Sequence, residues 1–76
     1  MKAFTIDELS RYTGKNGVPA YIAYDGRVYD VTRSFLWQGG SHQVMHHAGR
    51  DLTHELNAAP HGEDLLRRFP QVGVLK

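Results

Sequence analysis

"AYIAYDGRVYDVT", residues 20–32, is the stretch whose reading decides the fold. Asp25-Gly26 stands between two short runs rich in Tyr, Ile and Val. An Asp-Gly pair suits a type I′ hairpin turn, whose two central residues both take positive φ. Tyr21, Ile22, Ala23 and Tyr24 are therefore expected on the outgoing strand, and Val28, Tyr29 and Val31 on the return. The tyrosines are read as structural, because aromatic side chains favour a pleated, half-buried surface.

Working outward, "TIDE" at Thr5–Glu8 has the spacing of a capping box, and a short helix is expected from there to about Tyr12. "TGKNGVP", Thr13 to Pro19, is a loop by its two glycines and proline. After Thr32 the pattern turns helical. Ser41 suits an N-cap and Gly49 a C-terminal stop, which predicts a helix over "SHQVMHHA". Asp51 or Thr53 can cap a second helix through about Ala59, with Leu52, Leu56 and Ala59 on one face. Pro60-His61-Gly62 breaks it. A third helix is expected from Glu63 to about Phe69, with Leu65, Leu66 and Phe69 inward and Pro70 at its end. "VGVL", Val72 to Leu75, reads as a closing strand. Helix, hairpin, several short helices and a strand make an α+β domain.

A chain of 76 residues is expected to be a single domain, residues 1–76. A domain of that size buries only about 60% of the surface its unfolded chain exposes, so its core gains from a cofactor or a partner. There is no cysteine, which excludes disulfides, thiolate zinc sites and iron–sulfur clusters and suits a reducing, cytoplasmic setting. Nine Lys and Arg against eight Asp and Glu point away from nucleic acid as a partner. No apolar run approaches the roughly 20 residues of a membrane span.

Five histidines in 76 residues is a high number, and three of them fall at 42, 46 and 47. On a helix His42 and His46 point the same way, within about 40° of each other. That pair can bind a metal such as zinc, but the metalloprotease pattern needs a Glu beside the first histidine, and Gln43 is there. His61 lies in the break between two apolar-faced helices, which can aim an imidazole into the space they enclose. His47 and His54 are read as solvated surface residues.

"AYIAYDGRVYDVT", then Gly39-Gly40, then "HAGRDLT" and a lone histidine before a further helix resembles the cytochrome b5-like haem-binding family. The likeness runs from "FTIDELSRY" to "VGVL", and "GRVYDVT" and "AGRDLT" at their mutual distance are its most specific parts. The resemblance implies a small mixed sheet and hairpin supporting helix pairs that enclose haem b, with one histidine from each pair on the iron. The family's His-Pro-Gly-Gly motif is occupied here by Trp37, Gln38, Gly39 and Gly40, so this is a divergent member of prokaryotic type lacking that histidine. His61 falls on the second ligand's place. The related membrane-associated progesterone-receptor branch shares "AGRD", but its tyrosine aligns with Val44.

On this resemblance the iron ligands are His42 and His61, with His46 next to them as the alternative first ligand or a neighbour of the haem edge. Phe35, Leu36, Trp37, Val44, Leu56, Leu65, Leu66 and Phe69 are the expected haem walls. Two imidazoles leave no open axial place, so the expected function is electron transfer by a small carrier or module, not an enzyme, serving an unidentified reductase or oxidase. Two other readings stand beside it: a haem or hydrophobic-ligand binding module for sensing or delivery, and a small zinc-binding structural domain using His42, His46 and His61.

Overall fold

The computed structural model of the chain describes residues 1–33, 41–42, 46–58 and 66–76. In chain order these form β1 (Lys2–Phe4), α1 (Ile6–Leu9), β2 (Tyr21–Tyr24), β3 (Arg27–Asp30), β4 (Ser41–His42), β5 (His46–His47), α2 (Thr53–Ala58) and β6 (Gln71–Leu75). β1, β6, β3 and β2 lie in that order in a four-stranded mixed sheet, and β4 and β5 pair separately. The α+β class expected from the sequence is the one observed.

The hairpin forms as expected, except that its return strand ends at Asp30 and leaves Val31 just beyond it. Tyr21 pairs with Asp30 and Tyr24 with Arg27, and Asp25 and Gly26 take φ of 52° and 78°. The capping box also forms: the Glu8 amide donates to Thr5 Oγ1 at 3.0 Å and the Thr5 amide donates to Glu8 Oε1 at 3.1 Å. The helix it starts is a single turn, ending at Leu9 and not Tyr12.

The closing strand β6 runs antiparallel to β3 and parallel to β1, with Lys2 opposite Gly73 and Phe4 opposite Leu75. β1 has no counterpart in the sequence reading. Three residues leave no periodicity to detect, and their partner is at the far end of the chain. Gly73 is what permits the close approach: a Cβ there would run into the Lys2 carbonyl oxygen and sit 2.6 Å from Phe4 Cε2.

Two apolar clusters result. Ile22 packs with Ala20, Val31, Ala48, Leu52, Leu56 and Leu66, while its neighbour Ala23 packs with Phe4, Leu9 and Val28. Successive strand residues face opposite ways, so the sheet separates the two.

The expected helix over residues 41–48 is not what forms. Ser41 is in β4 and not an N-cap, and β4 and β5 pair antiparallel, with Ser41 opposite His47 and His42 opposite His46. His and Val are middling helix formers. Residues four apart are neighbours across a tight ribbon as well as along a helix, so their spacing alone does not separate the two. The second helix is close to expectation, over Thr53–Ala58. Of the third, residues 63–65 lie outside the described residues; Leu66 is helical and the Phe69 amide donates to its carbonyl at 3.0 Å. Among the described residues no helix is long and apolar enough to cross a membrane.

Candidate functional site

Two Asp-x-Thr turns frame the side of the sheet that holds the first cluster. In Asp30-Val31-Thr32 the Asp30 carboxylate accepts from the Thr32 amide at 2.9 Å and from its hydroxyl, and in Asp51-Leu52-Thr53 the Asp51 carboxylate accepts from the Thr53 amide at 3.0 Å and from its hydroxyl. Each hydroxyl oxygen then accepts a main-chain amide beside β2: Thr32 from Ala20 and Thr53 from Asp25, both at 2.9 Å. The middle residues, Val31 and Leu52, are both fully buried in the cluster.

This explains the "GRVYDVT" and "AGRDLT" motifs physically. The Gly49 amide donates to Tyr21 O at 2.7 Å, the Ala23 amide to Arg50 O at 3.0 Å and the Leu52 amide to Ala23 O at 2.8 Å. Residues 49–52 thus run along the outer edge of β2. Gly49 takes φ of 86°, and a Cβ on it would sit 3.3 Å from Ser10 O. The docked segment fixes what flanks it: the β4–β5 ribbon with its histidines on one side, and α2 on the other. Tyr24 Oη donates to Asn57 Oδ1 at 2.6 Å, tying α2 to the hairpin. The role of the two aspartates and threonines was missed in the sequence. The repeated Asp-x-Thr signal was there to find.

Of the expected site residues, His42 and His46 are brought together as register partners in the ribbon. Leu56 and Leu66 are both buried in the first cluster, and Phe69 packs half-buried against it. His61, Phe35, Leu36, Trp37, Val44 and Leu65 lie outside the described residues. His54 is exposed on α2, as expected. Among the described residues no group of three or more His, Asp or Glu side chains is placed to hold a metal ion.

The second cluster carries aromatic packing. Tyr12 and Tyr21 stack at 4.5 Å between ring centroids, and Phe4 meets both edge-on at 5.8 Å. Burial, then the charge of Asp30, raises the Tyr21 phenol above its ordinary pKa. The sheet keeps this group apart from the cluster that holds Leu56 and Leu66.

Residues 5–76 match the model of the cytochrome b5-like heme/steroid binding domain, and the chain belongs to that family. It is similar over its whole length to two solved archaeal structures. A cytochrome b5 domain protein of Hadesarchaea is 60% identical with a TM-score of 0.96, each chain covered in full. A cytochrome b5 domain protein of Methanococcoides burtonii is 54% identical with a TM-score of 0.95, covering 100% of this chain and 99% of that one. An Arabidopsis thaliana protein described as having a cytochrome b5 like fold shares the fold, with a TM-score of 0.68 at 24% identity over 99% of this chain and 91% of its own. Among curated proteins, "Probable steroid-binding protein 3" of Arabidopsis thaliana is 38% identical over 64 residues, 80% of this chain. This chain spans 62% of that plant protein's length, and 17% of a "Neuferricin homolog" of Drosophila pseudoobscura to which 49 residues, 64% of this chain, are 43% identical.

Proposed function

We propose that the chain is a b-type haem protein that carries electrons, with His61 and His42 as axial ligands and His46 beside them. The observation that carries this reading is the register pairing of His42 with His46, next to the segment that docks on β2. It collects two imidazole-bearing residues at one place beside an apolar cluster, and that donor chemistry suits haem iron. Haem would supply one-electron chemistry there; His61 and His42 would hold it, and the apolar side chains around it would exclude water. On this reading the protein is not an enzyme, works in the cytoplasm and exchanges electrons with a reductase or oxidase.

The test is to add haemin to the purified protein and record its absorption spectrum. Stoichiometric uptake with a sharp Soret band and resolved visible bands on reduction is expected, with little response to carbon monoxide. No uptake sinks the proposal, and rapid carbon monoxide binding to the reduced protein favours an open-site sensor instead.

A second reading has its own support in the family's description and in the plant relative's name, both of which mention steroid. In it the same fold holds a hydrophobic ligand for sensing or delivery. Saturable uptake of progesterone by the haem-free protein, abolished by one equivalent of haemin, is the result that favours it.

A further inference from the structure

Beside the end of β3 is a half-open cavity of about 440 Å³, lined by Asp30, Arg33, Arg68, Phe69 and Pro70. Its two sides are stitched together by the main chain: the Asp30 amide donates to Pro70 O at 3.0 Å. Arg33 follows the first Asp-x-Thr turn directly, and Arg68 precedes Phe69-Pro70, so both arginines stand within a few residues of that fixed cross-link. Asp30 lines the cavity too; its Oδ1 accepts from the Thr32 amide and hydroxyl, and its single charge is outnumbered by the two arginines. Among the described residues neither Arg33 nor Arg68 makes an ion pair; Lys2, Arg11 and Arg50 supply the pairs that do form. Both guanidiniums are exposed, while Phe69 is half-buried and offers an apolar face.

We propose that this cavity binds a small organic anion, with a phosphate or carboxylate head held between Arg33 and Arg68 and a flat apolar body against Phe69 and Pro70. Guanidinium forks match such heads through paired charge-assisted hydrogen bonds. The volume falls within the usual range of small-molecule sites, about 300–1,000 Å³. The Asp30–Pro70 hydrogen bond joins the two segments that carry the arginines, and both arginines line the one cavity.

The probe is phenyl phosphate, titrated into the haem-free chain and followed by calorimetry and amide NMR shifts. Saturable one-to-one binding is expected, with the shifts concentrated near residues 30–33 and 66–70. Arg33→Gln and Arg68→Gln should each weaken it about tenfold, the loss of one charge-assisted contact at an exposed site. Lys15→Gln, which removes a cation that does not line the cavity, should leave it unchanged. Inorganic phosphate, having the head without the ring, should bind more weakly. No saturable binding, or equal weakening by Lys15→Gln, overturns the proposal; inorganic phosphate binding as tightly removes the apolar half of it. Since the titration uses haem-free protein, it stands or falls apart from the haem reading. The head has two possible sources, and repeating it with one equivalent of haemin separates them. Loss of phenyl phosphate binding, with poorer haem uptake by the Arg33→Gln, Arg68→Gln double variant, identifies the anion as a haem propionate. Retained binding identifies a free small molecule.

Discussion

Thr32 and Thr53 hold opposite ends of one strand. Thr32 Oγ1 accepts the Ala20 amide just before β2, and Thr53 Oγ1 accepts the Asp25 amide just after it. Each threonine is itself aimed by the aspartate two residues earlier. A threonine replaced by valine keeps its shape and leaves a main-chain amide without its acceptor.

Thr53→Val should therefore lower unfolding free energy by about 1–2 kcal/mol, the cost of one unmade hydrogen bond where water has partial access. Thr53→Ser, which keeps the hydroxyl, should lose less than half of that. Urea denaturation of the haem-free protein measures both. Equal midpoints for wild type and Thr53→Val would show that the turn does not clamp the strand.

Acid should weaken the start of α1. The Thr5 amide, joined by the Thr5 hydroxyl and by Lys2 at 3.6 Å, holds the Glu8 carboxyl below its ordinary pKa. A carboxyl depressed in the folded state contributes stability that is present above its unfolded pKa of roughly 4.3 and lost as pH falls through the lower folded value. Thermal melts from pH 7 to pH 3 should show a decline that is shallower in Glu8→Gln. Thr5→Ala should cost about 1 kcal/mol at pH 7 through the lost cap. Identical pH profiles for wild type and Glu8→Gln would contradict the assignment.

Much of the fold was legible because its signals are local. Asp25-Gly26 needs positive φ at two successive positions, and Thr5 and Glu8 need only each other, so short-range chemistry announced both. β1 was not legible, since the parallel pairing of Lys2 with Gly73 depends on residues 71 positions apart in the chain. The ribbon at His42 and His46 was misread for another reason: a spacing of four fits a helical turn and a cross-strand pair alike. The docking of Gly49 and Arg50 on β2, next along the chain, is a tertiary contact that no local pattern of histidines reveals.

That ribbon also sharpens the ligand question. His42 and His46 are register partners on the two strands, so substitution of each in turn separates their roles. In haem-loaded protein, His61→Ala should lose six-coordinate character and most haem affinity. His42→Ala should turn high-spin, and His46→Ala should stay low-spin. The His42→Ala, His46→Ala double variant should lose bis-histidine spectra entirely. If His46→Ala is high-spin while His42→Ala is not, the ligand is His46.

Leu56 allows the core and the cofactor to be told apart. It is 3% exposed and packs with Ile22, Val31, Leu52 and Leu66, so most of its surface is already covered by the protein itself. Leu56→Ala should therefore cost about 2–4 kcal/mol in the haem-free chain, as buried leucine truncations do. A domain of this length has on the order of 4–11 kcal/mol of total stability, so the loss is a large share of it and brings a domain at the low end of that range close to unfolding. Haem that binds only the folded state, supplied at 100 times its dissociation constant, returns about 2.7 kcal/mol and should restore a cooperative melt. Were Leu56 only the wall of a ligand pocket, haem-free wild type and variant would share one urea midpoint and differ in haem affinity alone. A shifted midpoint without haem, recovered by haemin, is the outcome that places Leu56 in the core and the cofactor on top of it.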